Sequence, residues 1–93
     1  MTQKQLRQML QKYLMASYCY YLRYQSVMPD SEYDAMAKTL LKHWDEFQHQ
    51  HKHLVDKEDL AAGTLFKMKF EDYPLMVISA AEMWLENTHS MDY

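Results

Sequence analysis

The stretch from Tyr18 to Asp34 concentrates the side chains able to do chemistry. Tyr18, Tyr20, Tyr21 and Tyr24 lead into Met28-Pro29-Asp30, and Glu32, Tyr33 and Asp34 follow at once. Aromatic faces stack on flat rings, worth about 0.5–1.5 kcal/mol per contact beyond burial, and ionised carboxylates accept strong hydrogen bonds. The residues alone favour a plainer account, in which Asp30 caps a helix, Asp34 answers its dipole, and Tyr20 and Tyr33 pack in a core. Asp45, His49 and His53 form a second set. Spaced four apart, they fall on one helical stripe that could offer three ligands to zinc. His51 lies on another face and no cysteine or glutamate motif completes a metal pattern, so the stripe is expected to be solvated surface and no resident metal is expected. Cys19, flanked by tyrosines on a helix, reads as an inert thiol. The nine methionines read as packing.

Helices must position these groups. Ninety-three residues close one hydrophobic core, and 48% apolar residues with a single glycine and two prolines make helix the default. From Gln3 to about Gln25, Leu6, Leu10, Tyr13, Tyr20 and Tyr24 recur at helical spacing, with Met9, Leu14 and Tyr21 widening the stripe. Pro29 interrupts it, because proline disfavours helical geometry at the preceding residue. A second helix is expected from Asp30 to about Val55, capped by Asp30 or Ser31 and buried through Tyr33, Met36, Leu40, Trp44, Phe47 and Leu54. The short connection makes the pair an antiparallel hairpin. Asp56 to Ala62 can add a helical turn or two before Gly63 stops it. Phe66 to Phe70 alternates apolar with charged and is read as an extended linker. A last helix from Pro74 to Asn87, apolar on most sides, is expected to plug the hairpin groove with Trp84. The expected fold is thus an all-α, single-domain bundle over 1–93: a hairpin over 1–55, an added helical part over 56–88 and a frayed tail over 89–93.

Charge narrows the function. The net charge is −3 and the basic residues are dispersed, so no electrostatic footprint for nucleic acid appears. The longest apolar stretch, Leu75 to Ala81, is far shorter than the roughly 20 residues a membrane span needs. The polar run Thr2 to Gln8 does not read as a signal peptide, and a lone cysteine forms no internal disulfide, so the expected location is the cytoplasm.

The aromatic pair Tyr20-Tyr21, at fixed distance from Pro29-Asp30-Ser31-Glu32-Tyr33-Asp34, resembles the N-terminal Ia domain of bacterial NAD-dependent DNA ligases over roughly the first half of the chain. That family carries a Tyr-Tyr or Tyr-His pair ending its first helix, then a turn closing in Pro-Asp-x-Glu-Tyr-Asp. The resemblance implies a site for the nicotinamide mononucleotide half of NAD. Tyr20 and Tyr33 would sandwich the nicotinamide, Asp30 and Asp34 would take polar contacts, and Tyr21 would support them. The chain departs from the pattern at Tyr24 and Ser26, where the family usually has Asp and Pro. It also lacks the Lys-x-Asp-Gly motif of the ligase nucleophile, since Lys57-Glu58-Asp59-Leu60 has leucine where the motif has glycine. The expectation is therefore a non-catalytic module binding nicotinamide mononucleotide or NAD. The alternative is a protein-interaction factor, an inhibitor or adaptor of the kind a compact viral genome keeps, acting on a host DNA ligase or another repair or NAD-handling protein. The oligomeric state stays open.

Overall fold

Thr2 starts the first helix by a reciprocal cap: its hydroxyl accepts from the Gln5 N–H at 3.1 Å, and the Gln5 side chain accepts from the Thr2 N–H at 2.9 Å. Helix α1 then runs Gln3–Leu22 in the computed structural model, which describes residues 1–63, 65 and 67–90, the last three by their backbone alone. Leu6, Leu10, Tyr13, Leu14 and Tyr18 are buried along it, as the apolar stripe requires. Among the described residues the fold is all-helical, with no strand.

Helix α2, Asp30–Lys42, follows with extended Pro29 as its N-cap. Neither Asp30 nor Ser31 caps it by a side-chain hydrogen bond, contrary to expectation. Asp30 and Glu32 instead occupy the first turn, where the helix dipole favours negative charge. The pair is antiparallel. Ser17, near the end of α1, meets Tyr33 near the start of α2, while Arg7, near the start of α1, donates to the Gln48 carbonyl beyond the end of α2.

The second helix stops at Lys42, well short of Val55, so the expected hairpin boundary is corrected. Single 3-10 turns at Trp44–Glu46 and Lys52–Leu54 replace it. The cause lies in where the carbonyls are used. An α-helix would spend the Trp44 and Phe47 carbonyls on the backbone N–H groups of Gln48 and His51. Here both accept from the Lys52 ammonium, and the His51 N–H turns to His49 Nδ1 at 3.0 Å. The ammonium also lies 4.9 Å from the Trp44 ring centre and 4.5 Å from that of Phe47, both rings being buried.

A short third helix, α3 at Lys57–Ala62, packs on α2. It ends at Gly63, whose φ of 69° is the left-handed geometry a glycine accepts without strain. The following segment is not a plain extended linker. Leu65 and Met68 are buried, and a 3-10 turn spans Phe70–Asp72; Phe66 lies outside the described residues. Buried Tyr73 then meets the Tyr18 ring edge-on at 5.5 Å.

Helix α4, Leu75–Ser90, lies antiparallel to α1 and buries Val77, Ala81 and Leu85. The Tyr18 hydroxyl donates to Glu82 at 2.6 Å, the Cys19 thiol to the Ala81 carbonyl at 3.7 Å, and Arg23 pairs with Glu82 at 3.4 Å. Trp84 does not fill the groove. It is only partly buried, with the Lys12 ammonium 5.8 Å over its ring. Of the expected frayed tail, His89 and Ser90 belong to α4, and 91–93 lie outside the described residues. No helix among the described residues is long and apolar enough to cross a membrane.

Lys52→Met keeps the aliphatic stem but removes the donors, stranding two carbonyls beside buried rings. Stability in urea unfolding is expected to fall by about 1.5–3 kcal/mol, while Lys38→Met on the exposed face of α2 changes it by less than about 0.5 kcal/mol.

Candidate functional site

The chain leaves α1 through Tyr24, a non-glycine residue with a φ of 54°. For a bulky side chain this geometry costs about 1–2 kcal/mol. It lets the Gln25 N–H reach back to the Cys19 carbonyl at 3.0 Å, so the backbone folds over the end of the helix. The Ser26 hydroxyl then donates to the Met28 carbonyl at 2.7 Å, which shapes the approach to Pro29.

This turn closes a cavity of about 180 Å³. Ala16, Tyr20 and Tyr21 line it from α1, Ser26, Val27 and Met28 from the turn, Asp30, Tyr33 and Asp34 from α2, and Gly63 from the end of α3. All five residues singled out in the sequence, Tyr20, Tyr21, Asp30, Tyr33 and Asp34, therefore meet at one place. A cavity of roughly 150 Å³ is enough for benzene, so this one takes a single aromatic ring and leaves any larger ligand to extend outward.

The five differ in what else they do. Tyr33 is held on two sides: its ring stacks on buried Tyr13 at 4.7 Å and 20°, and its hydroxyl pairs with the Ser17 hydroxyl at 2.6 Å. One face of Tyr33 is thus already covered by protein, and only the rest of the ring is left for the cavity. Tyr20 is 49% exposed and meets Tyr21 edge-on at 4.9 Å, so its ring stands at the cavity mouth. Asp30, freed of any capping role, and Asp34 are the acidic side chains of the lining; among the described residues no basic side chain lines it. Asp34 is set by Gly63. A methyl group there would lie 3.2 Å from Asp34 Oδ1, so the left-handed glycine gives both the turn and the room for the carboxylate.

Burial raises the Tyr13 phenol to about 12, and burial with the Tyr13 neighbour pushes Tyr33 higher still, so these walls stay protonated at neutral pH. Burial also raises the Cys19 thiol to about 11, which leaves it un-ionised and unreactive. Ala16, the turn residues and Gly63 were not anticipated. Ala16 had a local signal, since it lies one helical turn before Tyr20; Gly63 had none, because its approach to Asp34 crosses the fold.

Asp45, His49 and His53 do not form the expected stripe, because α2 ends before them. Asp45 pairs with Lys57 at 3.1 Å, and His49 Nδ1 accepts the His51 N–H. No cluster of three potential metal ligands exists among the described residues.

Comparison with known protein families, with curated proteins and with solved structures gives no match to this chain. The geometry of the cavity is therefore the ground on which a function can be argued.

Two measurements follow. Tyr33→Phe keeps the Tyr13 stack but loses the Ser17 bond, and is expected to cost about 1 kcal/mol; Tyr33→Ala loses both and is expected to cost about 2–4 kcal/mol in denaturant unfolding. Burial, first, and neighbouring positive charge lower the His49 and His51 imidazoles below the usual 6.5, their rings lying 5.2 Å apart. An unfolded chain therefore binds protons the folded one resists, so stability is fully present above about pH 6.5 and falls as pH drops below it. The melting temperature is expected to decline between about pH 7 and pH 5, and less so in a His49→Gln, His51→Gln double variant.

Proposed function

We propose that the chain is a stand-alone, non-catalytic relative of the ligase Ia module, working in the cytoplasm, that holds the nicotinamide mononucleotide part of NAD at the hairpin turn. One observation carries this reading: Tyr20, Tyr21, Asp30, Tyr33 and Asp34, separated by up to fourteen positions in the sequence, line a single cavity of one-ring size. In the bound state a flat pyridinium ring enters between the mouth tyrosine Tyr20 and the inner wall at Tyr33. The carboxylates of Asp30 and Asp34 offset its positive charge and accept from its carboxamide and ribose hydroxyls. Ribose and phosphate extend to solvent. Because much of the ligand stays outside, the affinity is micromolar to millimolar.

Binding proceeds here without turnover. Adenylylation needs a lysine amine aligned with the α-phosphate and groups that stabilise the departing mononucleotide. The Lys-x-Asp-Gly motif that supplies such an amine in the ligases is absent from the sequence.

A second reading, a protein-interaction factor, draws on a different feature. Leu75, Met76 and Met83 on α4, with Phe70 before it, are more than half exposed, an apolar surface that a protein partner could cover.

Calorimetric titration with nicotinamide mononucleotide tests the first reading. The expected outcome is saturable binding that Tyr20→Ala and Asp34→Asn each weaken at least about fivefold, with melting temperatures nearly unchanged because both residues are largely exposed. Absence of heat up to millimolar ligand would remove the mononucleotide site in favour of the α4 surface. Transfer of labelled adenylate to the purified protein would overturn the non-enzyme reading.

A further inference from the structure

A second, more open concavity adjoins the cavity, lined by Tyr20, Tyr21, Tyr24 and Ser26. It shares Tyr20, Tyr21 and Ser26 with the first, so the two form one continuous surface running outward from the hairpin turn. Tyr24 adds an aromatic ring that is 88% exposed, on a backbone held in left-handed geometry. A glycine or asparagine would take that geometry at less cost, and an exposed ring contributes little burial in return. A tyrosine at this position therefore adds little burial to the fold, while strained backbone of this kind concentrates at ligand-contacting sites.

The inner cavity has the volume of about one ring, and the adjoining outer surface offers a path to whatever follows the nicotinamide. We infer that Tyr24, with Tyr20, forms a stacking shelf for the second base of a dinucleotide, so that the ligand of the site is NAD in preference to its mononucleotide half. This rests on the nicotinamide reading of the inner cavity. Every base has a face on which tyrosine stacks, and such contacts need no hydrogen-bond readout.

The test compares NAD with nicotinamide mononucleotide by calorimetry on the full chain and on two variants, Tyr24→Gly and Tyr24→Phe. Glycine suits the left-handed backbone, so a change in the first variant reports the lost ring and not a disturbed turn. NAD is expected to bind the native chain at least about fivefold more tightly than the mononucleotide, the low end of what one stacked base contributes. Tyr24→Gly should lose that gain through the NAD titration, and Tyr24→Phe should keep it. Equal affinity for the two ligands, or a preference for NAD that survives Tyr24→Gly, overturns the shelf while leaving the inner cavity standing. Binding of neither ligand to the native chain removes both the shelf and the mononucleotide site.

Discussion

Tyr33 is gripped from two directions by α1, through the ring of Tyr13 and the hydroxyl of Ser17. Tyr13 is wholly buried and Ser17 is too, so the grip sits in the core near the turn of the hairpin. The Ser17 hydroxyl also donates to the Tyr13 carbonyl at 2.8 Å, which ties it to its own helix while it meets Tyr33. Stack and hydrogen bond together set both the rotation of α2 and its height along α1. Once those are set, Asp30, three positions before Tyr33, shares its helical face, and Asp34, four positions after Asp30, lies beside Asp30.

The remaining walls come from parts of the chain with other duties. Tyr20 and Tyr21 close the end of α1, and Ser26 to Met28 bring the chain back across it. Gly63 enters from α3, which reaches this place only because α2 is cut short and the 43–56 segment folds back through Lys52 and its two aromatic neighbours. A cation held over two rings, with its protons on backbone carbonyls, thus fixes part of the segment that leads into α3, which its own Asp56 cap then starts. The α4 helix contributes on the opposite flank of α1. Its hydrogen-bonded contact from Glu82 to Tyr18 steadies the part of α1 just before the mouth tyrosines.

This division of labour bears on function. Tyr33 serves as wall and as structural pin, so its substitution mixes two effects. Tyr20 and Tyr24 are exposed, so their substitution tests the proposed ligand contacts with less disturbance of the fold. On the proposed reading, a buried inner wall and a solvent-facing outer surface would suit weak, reversible binding of an elongated ligand, with orientation set at the buried end and extra affinity gathered at the open one.

How much of this was legible in the sequence depends on the range of the forces involved. Helical periodicity, the proline break and the left-handed stop at Gly63 are local, and α1, the antiparallel start of α2, the stop of α3 and the body of α4 follow from them. The grouping of Tyr20, Tyr21, Asp30, Tyr33 and Asp34 was also within reach, because a short turn between two helices leaves few arrangements of the residues beside it. The early end of α2 was not, since Trp44, Phe47 and Leu54 keep helical spacing whether or not Lys52 takes the carbonyls that a helix would need. The same loss dissolved the Asp45, His49 and His53 stripe. Trp84 was assigned to the core on size and spacing, yet α4 buries Val77, Ala81 and Leu85 instead. A helix that is apolar on most sides does not announce which face will be covered, and that choice is made by the neighbour it packs against. Sequence thus determined the elements and the turn, where each residue answers to those within about four positions. Tertiary structure decided the depth of the cavity, the approach of Gly63 to Asp34 and the exposure of Tyr24, because each depends on contacts between segments that local preference does not bring together.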